Sequence, residues 1–317
     1  MPSAGPGPQA HGLMAQSGLP RLEARMLLAH VLGRPQAWLL AHDTDALASA
    51  DAAAFLDLAA RRLAGEPMAY LLGEREFMGH LLRVTPEVLI PRPETELLVE
   101  TGLAHLRGLD AGMQAGDAAE PQEGHGPAAA SAGPDPAPVT SPDPTPAAGP
   151  DRWAVADLGT GSGAIAVSLA LACPRAAVTA TDASAAALAV AAGNAQRLGA
   201  RVDFRQGDWY GALPPGARYH LIVANPPYIA AGDAHLQEGD LRHEPPAALT
   251  DGADGLSALR VLAVGAPARL APGGAVWLEH GWDQAQAVRA LLAAAGLRGV
   301  ASRRDLTGIE RISGGYL

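Results

Sequence analysis

One cysteine, Cys173, in 317 residues leaves no partner for an internal disulfide and excludes a zinc site built on cysteines. Such a residue fits a small, buried structural position. Aromatic residues make up only 4% of the chain while hydrophobic residues reach 48%, so Ala, Leu and Val must fill a globular core. No run of Lys or Arg occurs and the formal net charge is −10, which removes the electrostatic footprint of a general nucleic-acid binder. Local basic patches stay open, because net charge hides them. No stretch of about 18 apolar residues is present, so no membrane-spanning helix is expected and no membrane partner. The first twenty residues have neither a basic n-region nor an apolar h-region. The expectation is a soluble, cytoplasmic protein.

What is present is concentrated at a few points. The apolar run Leu221-Ile222-Val223-Ala224 reads as a buried parallel strand and leads into Asn225-Pro226-Pro227-Tyr228. This tetrapeptide suits the holding of a planar NH2 group. The Asn225 side-chain oxygen and the Pro226 carbonyl can each accept one hydrogen of that group. Proline keeps its carbonyl aimed, and the Tyr228 ring can cover the flat face of an amide or base. The plain alternative is a strand-ending turn, since Asn-Pro is ordinary turn chemistry.

A second motif lies upstream. The apolar strand ending at Asp157-Leu158 runs into Gly159-Thr160-Gly161-Ser162-Gly163 and then an Ala-rich helix over 164–172. Glycines permit tight turns and close approach of backbone to ligand, and a helix N-terminus adds free N–H groups. Gly159, Gly161 and Ala164 also fit the G-x-G-x-x-A dinucleotide fingerprint. Asp157 favours the cationic amino-acid end of S-adenosylmethionine (SAM) over a pyrophosphate. The next strand, 177–181, ends at Asp182, whose carboxylate can take a ribose diol; a cap on the helix starting near Ser184 is the alternative. Asp208-Trp209 ends a further strand, with Trp209 expected on an adenine ring and Asp208 near its exocyclic amine, or else Trp209 plugging the core. Glu279-His280 also ends a strand and reads as structural.

The organisation follows from patterning. Residues 1–18 read as disordered. Residues 19–73 read as a small helical domain, with Leu22, Met26, Leu27, Val31 and Leu32 on one stripe. Its third helix is capped by Ser49 or Asp51, with Phe55, Leu56, Ala59 and Leu63 facing inward. Arg61, Arg62 and Arg75 read as a solvated face. Residues 74–107 form a connector: a hairpin over 76–84, a strand at Val88-Leu89-Ile90 ended by prolines, and a helix opened by Glu94 and Glu96 with Leu97, Leu98, Leu103 and Leu106 on its apolar face. Residues 108–150 are rich in Ala, Pro and Gly and read as a disordered insertion. Residues 151–317 carry strands at 153–157, 176–181, 201–205, 219–224, 274–279, 297–302 and 308–313. The earlier strands alternate with helices, which predicts an α/β doubly wound, mostly parallel sheet. Gly159–Gly163, Asp182, Asp208-Trp209 and Asn225–Tyr228 all fall at strand C-terminal ends, where such sheets bind ligands.

With these residues in view, the chain resembles the PrmC/HemK family over about 19–107 and 151–317. The resemblance rests on Gly73-Glu74-Arg75-Glu76-Phe77, Leu89-Ile90-Pro91-Arg92-Pro93-Glu94-Thr95-Glu96, the glycine loop, Gly207-Asp208-Trp209, Asn225-Pro226-Pro227-Tyr228-Ile229 and Glu279-His280-Gly281. Asn-Pro-Pro-Tyr alone is shared with amino-methyltransferases of adenine and guanine; the Ile90–Glu96 segment and the helical N-terminal part are more particular. The resemblance implies a class I SAM-dependent methyltransferase, with a Rossmann-like, mostly parallel seven-stranded sheet, acting on the glutamine of the Gly-Gly-Gln motif of class I peptide-chain release factors. It places SAM on Gly159, Thr160, Gly161, Ser162, Gly163, Asp182, Trp209 and Asn225, and the substrate glutamine on Asn225, Pro226, Pro227 and Tyr228. Asn225, Pro226 and Tyr228 are the expected catalytic residues. No metal, no direct nucleic-acid contact and a monomeric state are expected.

Overall fold

The computed structural model describes residues 7–117 and 152–317. Most of the expected insertion, 118–150, and residues 1–6 lie outside the described residues.

Five helices open the chain: α1 (Ala10–Gln16), α2 (Arg21–Leu32), α3 (Gln36–Ala41), α4 (Ser49–Leu63) and α5 (Met68–Leu72). α1 falls where disorder was expected; Leu13 and Ala10 are buried against α2, which orders it. The buried face of α2 is Ala24, Leu27 and Leu28, at helical i, i+3, i+4 spacing. Leu22 is 61% exposed, so the stripe is turned from the expected one. On α4, Phe55 and Ala59 point inward as expected, whereas Leu56 and Leu63 are exposed. The N-cap of α4 is Ala48, without a side-chain bond, and neither Ser49 nor Asp51 fills that place.

The connector begins with the antiparallel pair β1 (Glu74–Phe77) and β2 (His80–Arg83). Val88-Leu89-Ile90 is not a strand; Val88 and Ile90 are buried beside Ala69 and Ala187 but lack a neighbouring strand to pair with. A 3-10 turn, Pro93–Thr95, leads into α6 (Glu96–Asp117). This helix continues past residue 107, where the insertion was expected to begin. Its buried residues include Leu98, Val99, Leu103 and Leu106.

The remaining strands, β3 (Trp153–Leu158), β4 (Ala176–Asp182), β5 (Val202–Gln206), β6 (Tyr219–Ala224), β7 (Leu270–Glu279), β8 (Arg298–Arg304) and β9 (Glu310–Tyr316), form one seven-stranded sheet in the order β5-β4-β3-β6-β7-β9-β8. Only β9 runs against the others. The helices are α7 (Ala164–Ala172), α8 (Ala185–Leu198), α9 (Pro246–Leu249), α10 (Ser257–Arg269) and α11 (Ala285–Ala294). α6, α7 and part of α8 cover one face through Leu106, Leu169 and Ala195; α10 and α11 cover the other through Leu262 and Leu292. Both cores are built chiefly from Leu, Val and Ala, as the scarcity of aromatics required. Cys173 is half-buried just past α7.

From β3 the chain steps outward to β4 and β5, then returns to the other side of β3 as β6. β3 and β6 are therefore the switch point of the sheet, where a crevice opens at the strands' C-terminal ends. The helical domain is tied beside it. Arg62 is bound by Glu23 at 2.9 Å and by Asp240 at 3.5 Å, and Arg242 donates to the carbonyl of Ala64. Arg62 thus joins two parts of the chain and is not simply on a solvated face.

Candidate active site

A cleft of about 390 Å³ lies over the ends of β3, β4, β5 and β6. Gly159, Thr160, Gly161, Ser162, Asp182, Asp208, Trp209, Asn225 and Pro227 line it. Its outer wall comes from Val88, Pro91, Arg92 and Thr95 of the connector and from Pro245, Ala247 and Ala248 around α9.

The glycine loop is shaped from below. Asp157 is fully buried; its Oδ2 accepts the Thr160 hydroxyl at 2.6 Å and the Ala166 amide at 3.1 Å. Burial pushes its carboxyl up to about 7. Asp157 is not among the residues lining the cleft and holds the loop from below, while its Oδ1 has no hydrogen-bond partner. Gly161 takes φ +56°, and a Cβ there would meet no protein atom within 4 Å; it leaves bare backbone on the cleft wall. Gly163 takes φ +83° for a different reason: a Cβ would sit 3.0 Å from that of Ala191, so its absence lets α8 approach.

Asp182 accepts the Gly161 amide at 2.9 Å through Oδ2 and the Ser184 amide at 2.9 Å through Oδ1. The helix cap is Ser184, whose hydroxyl accepts the Ala187 amide. A carboxylate has about four lone-pair sites, so Asp182 retains acceptor capacity toward the cleft it lines. Trp209 sits at φ +41°, a backbone conformation uncommon for a bulky residue, and its ring reaches to within 3.1 Å of the place a Gly159 Cβ would take. It also packs on the core beneath, as the alternative reading expected.

Asn225 and Pro227 form the wall next to the glycine loop, Pro226 is buried, and Tyr228 is half-buried. The Asn225 Nδ2 donates to Thr95 Oγ1 at 3.1 Å. The Tyr228 hydroxyl donates to Glu279 Oε1 at 3.2 Å. Thr95 lies near the same carboxyl and helps to lower its pKa, and the other Glu279 oxygen, Oε2, has no partner. Burial raises the Glu279 carboxyl to about 7, against the pull of Thr95 and Tyr228; nearby Glu94 raises it and Arg311 lowers it. Burial and the Glu279 charge push the Tyr228 phenol well above its ordinary range, so it remains a donor. His280 is buried between the Gly281 carbonyl and Ser313 Oγ, consistent with a structural reading.

Residues 9–73 match the model of the PrmC N-terminal domain, and residues 147–242 that of the methyltransferase small domain. A protein of Bordetella pertussis named release factor glutamine methyltransferase is 63% identical over 305 residues, spanning 96% of this chain and 98% of that protein. The chain belongs to the release factor glutamine methyltransferase family. A namesake from Burkholderia pseudomallei is 48% identical, over 96% of this chain and 95% of its own length. Among solved structures, a T. thermophilus 16S rRNA N2 G1207 methyltransferase covers 77% of this chain and 49% of its own, with 19% identity and a TM-score of 0.46.

The fold class expected from the resemblance, a seven-stranded methyltransferase sheet with a helical N-terminal region, is that of the family. Each of the four strand-end motifs contributes to the cleft lining, although Gly163, Pro226 and Tyr228 do not themselves line it. Sequence reasoning missed Arg92, Thr95, Glu244 and Glu279 as parts of this site. Thr95 lay inside a segment already singled out, but nothing in its spacing shows that its hydroxyl reaches Asn225, 130 residues away.

Proposed function

We propose that this chain transfers the methyl group of SAM to the side-chain amide nitrogen of the glutamine in the Gly-Gly-Gln motif of class I release factors, in the cytoplasm and as a monomer. The observation that carries the reading is the setting of Asn225. Its Nδ2 is taken by Thr95, which leaves Oδ1 as the free acceptor of a residue on the cleft wall. The near full-length relatives named for this substrate support the choice of a protein glutamine.

The cleft residues fit SAM. Gly161 offers bare backbone, Asp182 a carboxylate for a ribose diol, and Trp209 an aromatic surface for adenine. SAM supplies an electrophilic methyl on a sulfonium.

The protein's part is orientation. An amide nitrogen is a poor nucleophile because its lone pair is delocalised into the carbonyl. Asn225 Oδ1 and the Pro226 carbonyl accept the two hydrogens of the glutamine NH2, draw electron density toward nitrogen and aim it. Orientation of this kind contributes up to roughly 7–11 kcal/mol in the best cases. The same fixed dipoles stabilise the positive charge that develops on nitrogen, which is discharged as one of the two N–H protons is lost with or after transfer. Tyr228, anchored through its hydroxyl, covers the amide plane.

The test is methyl transfer from labelled SAM to purified release factor, beside a variant whose motif glutamine is replaced and beside duplex DNA. Label on the release factor alone, absent from the glutamine variant, is expected. Label on DNA would instead favour a base amino-methyltransferase.

A further inference from the structure

A side-chain amide is asymmetric: one prong accepts hydrogen bonds and the other donates. For Asn225 to receive an NH2 group, its oxygen must face the substrate. Reversed, it would set donor against donor. Nothing in the Asn-Pro-Pro-Tyr sequence itself decides which prong faces the cleft.

The neighbours decide it. Thr95 is 4% exposed, and its hydroxyl has one proton and two lone pairs. Its side chain lies beside the Glu279 carboxyl, whose pKa it helps to lower; that carboxyl is 2% exposed and accepts from Tyr228. In its ionised form, which prevails above about pH 7, this carboxyl only accepts. The protons of Thr95 and Tyr228 are therefore both drawn toward Glu279, and a lone pair of Thr95 is left for Asn225 Nδ2. The donors run in one direction, from Asn225 through Thr95 to Glu279, with Tyr228 converging on the same carboxyl. Thr95 comes from the 3-10 turn before α6, Asn225 from the end of β6 and Glu279 from the end of β7, so three separate elements close the network.

We propose that Thr95 and Glu279 are positioning residues that set the polarity of the amide clamp, Thr95 by holding the Asn225 amide oxygen toward the substrate and Glu279 by orienting the Thr95 and Tyr228 hydroxyls. This rests on the reading of Asn225 as the acceptor of the substrate NH2.

The experiment compares Thr95→Val, which keeps the shape and removes the acceptor, with Thr95→Ser, which keeps it. Single-turnover transfer and SAM affinity are measured for each, alone and combined with Asn225→Ala. Thr95→Val is expected to slow transfer by about ten- to a hundredfold, the scale set by misplacing a reacting group, with SAM affinity little changed. Thr95→Ser should restore most of the rate. In the Asn225→Ala background, Thr95→Val should add almost nothing, because residues acting as a unit are not additive. Glu279→Gln, whose NH2 can donate to Thr95 and turn its proton toward Asn225, should also slow transfer with the fold intact. A Thr95→Val enzyme at the wild-type rate, or one whose loss persists in full beside Asn225→Ala, would overturn the inference. The side-chain amide resonances of Asn225 give a readout independent of substrate. They should shift in Thr95→Val and not in Thr95→Ser, and an unchanged spectrum in Thr95→Val would count against the inference even if the release factor proved not to be the substrate.

Discussion

Arg92 and Glu244, 152 residues apart in the chain, form an ion pair on the outer wall of the cleft. The Glu244 side chain is fully buried and Arg92 is 30% exposed. The second Glu244 oxygen accepts the Ile90 amide at 3.1 Å. Burial raises the Glu244 carboxyl more than Arg92 and the Ile90 amide lower it. The pair joins the stretch containing Val88, Pro91 and Thr95 to that containing Pro245, Ala247 and Ala248, all of which line the cleft.

Removing one partner strands a buried charge, which typically costs about 3–5 kcal/mol. Arg92→Met is expected to lower unfolding free energy by roughly 3 kcal/mol and to weaken SAM binding, because both wall segments lose their tie. Denaturant unfolding and calorimetry check this. A variant as stable as wild type, with unchanged SAM affinity, would show that packing alone holds the wall.

The inner half of the cleft was legible in the sequence and the outer half was not. Buried parallel strands are continuous apolar runs, so the ends of β3, β4 and β6 could be placed within a residue or so, and with them Gly159, Asp182 and Asn225. The outer wall has no such period. Val88-Leu89-Ile90 has the composition of a strand, but no partner strand lies beside it. Glu244 carries no local signal at all, since its partner is on another segment. In the helical domain, apolar spacing located the helices but misplaced Leu22, Leu56 and Leu63, because alanines such as Ala24 and Ala59 fill the inward positions and carry little hydropathic weight. Asp157 was read as a ligand contact; its depth beneath the loop depends on the Thr160 and Ala166 bonds.

Two loop glycines should separate binding from stability. Gly161→Ala forces a side chain into a left-handed backbone and into open cleft space; SAM affinity should fall more than stability. Gly163→Ala drives a Cβ against Ala191, and should cost stability by about 1–3 kcal/mol, the usual scale of overpacking. Thermal melts and SAM titrations of both variants check the split, and equal effects of the two on SAM affinity would contradict it.

Asp182→Ala removes the acceptor of the Gly161 and Ser184 amides as well as the carboxylate facing the cleft. SAM affinity should drop about tenfold or more, on the scale of about 1.5–3 kcal/mol for hydrogen bonds to a charged group. Transfer from saturated enzyme should change less. A variant with normal affinity would remove Asp182 from the binding site.

Glu279 makes the enzyme pH-dependent in two ways. Its carboxyl titrates near 7 in the folded chain and near 4.5 when unfolded. Between these values the folded state holds more protons, so stability falls as pH rises through that window. Relative to Glu279→Gln, wild type should lose on the order of 3 kcal/mol across it. Ionisation also makes Glu279 a stronger acceptor for Tyr228 and Thr95, so transfer should rise through about pH 7 in wild type. Asp157 titrates in the same range, and the Gln variant separates the two. A rate profile unchanged by Glu279→Gln would assign the rise elsewhere.

The central claim is that Asn225 accelerates transfer by orienting the substrate amide. The most direct measurement is single-turnover methyl transfer to release factor by Asn225→Ala, with SAM affinity of the same variant measured by calorimetry. A rate reduced about a hundredfold or more, beside a much smaller loss of SAM affinity, is the predicted result. Near-normal transfer, or a rate that falls only as far as SAM binding does, would contradict it.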